Sequence, residues 1–187
     1  MTRLIPPLQR IVITGGPGAG KTALLNDLMA RGHTVVKESA RAIIQDRRCR
    51  GLDARPSPLQ FAQDILQKDI EKYELTYPGA RLAFFDRSIF DALGMLNEIS
   101  PLSLTDRSNW IIQYPYHRTA FFLPPWREIY QNDEERDQTF AEAVDVYVFL
   151  KRWYIQCGFD IADVPALPVA ERCNFVLKVI EKSDHEI

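Results

Sequence analysis

The apolar positions of the chain follow two alternating patterns. Short apolar runs bounded by Gly, Pro or charge stand at Ile11-Val12-Ile13, Thr34-Val35-Val36, Leu82-Ala83-Phe84-Phe85, Ala120-Phe121-Phe122-Leu123 and around 159–162. They read as buried strands, the first over 10–14. Between them apolar residues recur at helical spacing. Ala23, Leu24, Leu28 and Met29 predict a helix over 21–31, and 39–48 predicts a second. Phe61, Ile65, Leu66, Ile70 and Tyr73 mark a longer one from Ser57 to about Tyr77. Further helices are predicted over 89–98, 105–114, 133–157 and 169–181. Gly32 stands where a C-cap glycine belongs, Pro78-Gly79 closes the third helix, and 49–58 has the composition of a loop. Strands separated by helices form βαβ units, and runs apolar on both faces belong to a parallel sheet covered on both sides.

Length and composition narrow the class. A chain of 187 residues supports one well-cored domain, 1–187, and its 46% hydrophobic and 26% charged residues exclude a disordered or collagen-like chain. With 23 basic against 25 acidic side chains the net charge is −2, which gives no reason to expect nucleic acid as a partner. Cys49, Cys157 and Cys173 are far apart with no CxxC spacing, so free thiols in a reducing compartment are expected. His33, His117 and His185 are equally scattered, and neither set forms a metal site. No apolar run approaches a membrane span, and MTRLIPPLQR lacks the apolar core of a signal peptide. The expectation is a cytoplasmic protein.

The decisive chemistry lies just after the first strand. Gly15-Gly16-Pro17-Gly18-Ala19-Gly20-Lys21-Thr22 fits GxxxxGK[ST] and sits between a strand and a helix. Its glycines let backbone N–H groups turn inward around phosphate oxygens. Lys21 can reach the β and γ phosphates, the Thr22 hydroxyl can ligate magnesium, and the helix N-terminus faces the same anion. This predicts a bound nucleoside triphosphate, ATP or GTP, with Mg2+. A second carboxylate at the end of a neighbouring strand is expected to hold the magnesium through water. Asp86 has that position, although an Asp after a strand also serves as a helix N-cap.

With the P-loop and Asp86-Arg87-Ser88 in place, the chain resembles a family of small P-loop proteins with an AAA domain, identified as ATPases by sequence. That family is related to nicotinamide-riboside kinase domains and to nucleoside and nucleotide kinases. The resemblance runs through ITGGPGAGKT (13–22), VVKESAR (35–41), FFDRS (84–88), FFLPPWREIYQNDEER (121–136) and VPALPVAER (164–172), in order. It implies a three-layer α/β P-loop NTPase of nucleoside-kinase type, with a five-stranded parallel sheet of order 2-3-1-4-5. It also implies a general base at Glu38, with Asp86 as the alternative, and a lid over about 124–136 whose Arg127 and Arg136 close on the transferred phosphoryl group.

Read from spacing alone, the same residues admit plainer roles. Glu38 can cap the following helix and pair with Arg41 three residues on, while Arg127 and Arg136 can be solvated charges. Asn132 and Glu135 have capping-box spacing for the helix that follows. Trp110, Tyr114, Tyr116 and Trp126 are expected to pack and are assigned no ligand. The leading reading is a magnesium-dependent phosphotransferase on a small hydroxyl-bearing, nucleoside-like acceptor, with Glu38, Arg41 and Arg87 on the acceptor side. The alternative is a nucleotide switch that hydrolyses slowly and acts on a protein partner, although no guanine-reading NKxD segment is present.

Overall fold

The computed structural model describes residues 8–54, 56–75, 77–130 and 139–185. Five strands, β1 (Gln9–Gly15), β2 (Thr34–Val36), β3 (Leu82–Asp86), β4 (Thr119–Leu123) and β5 (Asp160–Asp163), form one sheet. Its order is β2-β3-β1-β4-β5, with every pairing parallel, as the resemblance implied. Seven helices among the described residues connect them: α1 (Lys21–Ala30), α2 (Ser39–Cys49), α3 (Pro58–Glu74), α4 (Ile89–Ile99), α5 (Leu104–Gln113), α6 (Phe140–Gln156) and α7 (Val169–His185).

Alternation along the central strands supplies a core on each face. Ile11, Ile13, Phe84, Phe121 and Leu123 meet Leu24 and Leu28 of α1 and Val176 and Ile180 of α7. Val12 and Phe122 point the other way, into Ile89, Phe90, Leu93, Leu150, Trp153 and Tyr154. Burying both faces is what a parallel sheet requires, and it explains strands without a polar side.

Helix ends follow local chemistry. Gly32, at φ +87°, closes α1 in a Schellman turn: its N–H donates to Met29 O, and His33 N–H donates to Leu28 O. Ser57 caps α3 ahead of Pro58, and Ser88, Ser103 and Thr139 open α4, α5 and α6 with reciprocal capping boxes. The expected start of α6 at Asp133 is therefore corrected to Phe140, because Thr139 takes an extended conformation and receives the Glu142 amide. The capping pair Asn132–Glu135 lies outside the described residues.

Register sets the functional edge. Ile13 pairs with Asp86 and Gly15 with Leu123, so the P-loop, the end of β3 and the end of β4 leave the sheet side by side. Val36 pairs with Phe85, which brings Glu38 to the same edge. Ligands of open α/β sheets bind at this carboxyl edge.

Candidate functional site

The P-loop turns where only glycine fits. Gly15 has φ +136°, and a Cβ there would meet Leu123 O at 2.5 Å; at Gly16 it would meet Ala143 O at 2.4 Å. The loop is thus seated against β4 and the first turn of α6. Lys21 is buried, and its Nζ donates to Gly16 O at 2.8 Å and Gly15 O at 3.2 Å. Burial, together with the nearby Arg87 guanidinium, lowers its pKa to about 8.

Beside the loop stands a charged cluster built by three strand ends. Arg87 takes a left-handed conformation at φ +67°, unusual for a side chain of its size, while its N–H donates to Ile13 O at 2.9 Å. This turn aims the guanidinium back across the edge. Its Nε donates to Glu38 Oε1 at 2.8 Å and its Nη1 to Asp91 Oδ1 at 3.3 Å. Glu38 occupies the N-cap position of α2 yet makes no capping bond, so the expected cap gives way to a pair with Arg87, and the Arg41 charge acts on the same carboxylate. Burial raises the Glu38 carboxyl, but Arg87, Lys21 and Arg41 outweigh it and hold it below its usual value. Arg87 is raised in turn by Glu38, Asp91 and Asp86 despite its own burial.

Asp91 anchors this cluster and was not singled out by the sequence reading. Thr14 Oγ1 donates to its Oδ1 at 2.6 Å, while Ser88 N–H at 2.9 Å and Tyr154 OH at 2.5 Å donate to its Oδ2. The legible signal was the Ser88-x-x-Asp91 spacing of a capping box; Tyr154, 63 residues further on, has no local signature. A second buried polar group joins α2 to α3. Ser39 Oγ donates to Asp69 Oδ1 and accepts from Lys72 Nζ at 2.8 Å. Burial pushes Asp69 up to about 7, against the opposing pull of Ser39 and Lys72.

Asp86 ends β3, and the cap of α4 is Ser88, which removes the N-cap reading of Asp86. Burial raises its carboxyl, and its Oδ1 has no hydrogen-bond partner. An orphaned carboxylate oxygen on the cavity that Thr22 also lines is a donor set that fits magnesium carried on nucleotide phosphates. Among the described residues no group of three His, Cys, Asp or Glu could hold a metal ion without such phosphates.

The cavity measures about 850 Å³ and brings together residues 17–23 of the P-loop region with Glu38, Arg41, Asp86, Arg87 and Asp91. A smaller cleft of about 150 Å³ opens on the other side of Ala19, walled by Trp126, Pro165 and Arg172. The Arg172 guanidinium stacks over Trp126 at 5.5 Å, and its Nη1 reaches Gly20 O at 3.5 Å. Trp126 thus faces a cleft, whereas Trp110 and Tyr114 stack on each other and Tyr116 packs against Phe85, as expected for packing aromatics. Arg127 is exposed, with its guanidinium over the Phe140 ring at 5.1 Å, and is not among the cavity-lining residues. Tyr130 of the same segment lies against Gly18. Arg136 is outside the described residues.

A family model described as AAA domain matches residues 10–172. No curated protein matches the chain by sequence. Among solved structures, deoxyadenosine kinase from M. mycoides with the products dCMP and a flexible dCDP bound is similar at 15% identity, with a TM-score of 0.62 over 93% of this chain and 100% of that one. The same kinase with dATP gives 15% and 0.54 over 92% and 99%, and with dCTP 14% and 0.55 over 93% and 100%. At that identity the likeness establishes the fold.

Proposed function

We propose that this chain, which belongs to the AAA domain family, is a magnesium-dependent P-loop phosphotransferase that moves the terminal phosphoryl group of ATP or GTP to a small hydroxyl-bearing acceptor. The observation that carries it is the Glu38–Arg87 pair, 2.8 Å apart, facing the same cavity as Lys21 and Thr22. The M. mycoides kinases of similar fold bind deoxynucleotides, which supports a nucleotide ligand here.

In this reading the backbone of Gly15, Gly16, Pro17, Gly18, Ala19 and Gly20 cradles the phosphates, and Lys21 exchanges its two carbonyl partners for phosphate oxygens. The purine lies in the cleft between Trp126 and Pro165, with Arg172 on its face. Thr22 and, through water, Asp86 hold magnesium, which when bound neutralises charge on the phosphates. Glu38, kept ionised by Arg87, accepts the proton of the acceptor hydroxyl as its oxygen bonds to phosphorus and the bond to the leaving diphosphate breaks. Arg87 adds positive charge beside the transferred group, Arg41 serves at the rim, and Arg127 and Arg136 are the lid cations that complete the site on closure.

A nucleotide switch has no use for a cavity that extends past the phosphates between α2, α3, α4 and α6, so the phosphotransferase reading is preferred. Glu38→Gln separates the two, because it keeps side-chain size and removes basicity. Nucleotide binding should survive while transfer from labelled ATP or GTP to the accepted alcohol or nucleoside drops by about 10²–10⁴. Full transfer by Glu38→Gln would leave Asp86 as the base.

A further inference from the structure

Beyond the Glu38–Arg87 pair, each of the four helices around the cavity contributes apolar side chains. Ser39 begins α2 and holds Asp69 of α3, so these two helices are tied together at the strand edge. Moving away from that tie, α2 presents Ile44 and α3 presents Ile65 and then Phe61, one and two turns on. Past Asp91, α4 presents Met95, and α6 closes the space with Val146 and Phe149.

The polar groups of this half are already committed. Glu38 and Asp91 both accept from Arg87, Ser39 donates to Asp69, and Lys72 donates to Ser39 and to Lys37 O, while the Arg41 side chain is exposed at the rim. The amide-bearing side chains of α3 lie on its outer face: Gln60 donates to Asp64 at 2.7 Å, Gln67 to Glu71 at 3.2 Å, and Gln63 is exposed. Gln45 is the amide that borders the cavity, and it is exposed on the outer turns of α2. A nucleobase carries a fixed edge of donors and acceptors. Burying that edge against Ile, Phe, Met and Val leaves it without partners, which a site selects against far more strongly than a change in apolar bulk.

We propose that the acceptor is an alcohol whose body is aromatic or hydrocarbon, held by the apolar stripes of α2, α3, α4 and α6 with its hydroxyl at Glu38, and that nucleosides are poor acceptors. This rests on the phosphotransferase reading and names its substrate class. The probe is 2-naphthaleneethanol, titrated calorimetrically into the full chain with ADP and magnesium present, against deoxyadenosine and deoxycytidine. The naphthyl alcohol should bind at least about tenfold more tightly than either nucleoside. An amide placed in the stripe should weaken it by about tenfold, in Phe61→Gln and independently in Met95→Gln on another helix. Each variant is first checked for an unchanged thermal shift with ADP, and the unmodified chain decides the matter if neither folds. Equal or tighter nucleoside binding, or no naphthyl alcohol binding at millimolar concentration, overturns the proposal. Because no phosphoryl group moves in the titration, failure here leaves transfer itself untouched. Naphthyl alcohol binding without transfer from ATP or GTP to any acceptor would instead count against the phosphotransferase reading.

Discussion

Asp69 shows how burial can outweigh its hydrogen bond and a nearby cation in setting the chemistry of one side chain. Its carboxyl accepts from Ser39, lies beside Lys72 and is raised to about 7 by desolvation. In the unfolded chain it returns to its ordinary value near 3.8. Between those two values the folded protein keeps a proton that the unfolded chain has lost. The stability from this group is therefore fully present below the unfolded value and falls as pH rises through the folded one, by at most about 1.4 kcal/mol per pH unit. Asp69→Asn abolishes the titration, so the stability of wild type relative to variant should decline between pH 4 and pH 7 in denaturant melts. A difference that stays flat would mean that Asp69 ionises as freely as a surface acid. At this scale the sequence displayed the residues proposed to act on phosphate, since GxxxxGK[ST] and FFDRS carry Lys21, Thr22, Asp86 and Arg87 in local spacing. It did not display Asp91 with Thr14 and Tyr154, because those bonds join positions 77 and 63 residues apart. The Glu38–Arg87 pair was likewise hidden, because helical spacing cannot reveal a left-handed turn at Arg87 that swings a guanidinium across from β3.

The elements followed hydrophobic period closely and differed from it at their ends. β1 runs on to Gly15 and β3 to Asp86 because parallel pairing with Leu123 and Ile13 continues past the apolar residues. Ladder bonds, not side chains, set those limits. α6 differs most: charged and apolar residues from Asp133 onward keep a helical look, but Thr139 with Glu142 satisfies the amides at a start on Phe140. Thr139→Ala removes both bonds of the Thr139 hydroxyl in that capping box and should cost about 1 kcal/mol in denaturant melts. An unchanged midpoint would mean that the cap is idle. The seat of Gly16 against the Ala143 carbonyl ties this cap to function, because the first turn of α6 is one wall of the P-loop. Fraying there should loosen nucleotide binding as well as lower stability.

The whole molecule is a parallel sheet whose carboxyl edge gathers the ends of β1, β2 and β3 around one cavity and the ends of β4 and β5 around a smaller cleft beside Ala19. Strand order carries that arrangement: placing β3 between β2 and β1 brings Glu38, Asp86 and the P-loop together from three separate stretches of chain. Alternating strands and helices made the α/β class readable, whereas the order 2-3-1-4-5 came from family likeness, since hydrophobic period does not encode which strands are neighbours. The proposed activity requires that Lys21 hold nucleotide phosphate. The direct measurement is the thermal shift of the intact chain and of Lys21→Ala with magnesium and ATP or GTP. A ligand at a hundredfold excess over its Kd adds about 2.7 kcal/mol to stability, which in the wild type should appear as a shift of several degrees. Lys21→Ala should fold normally and lose most of that shift. An equal shift in Lys21→Ala, or none in the wild type with either nucleotide at millimolar concentration, would contradict it.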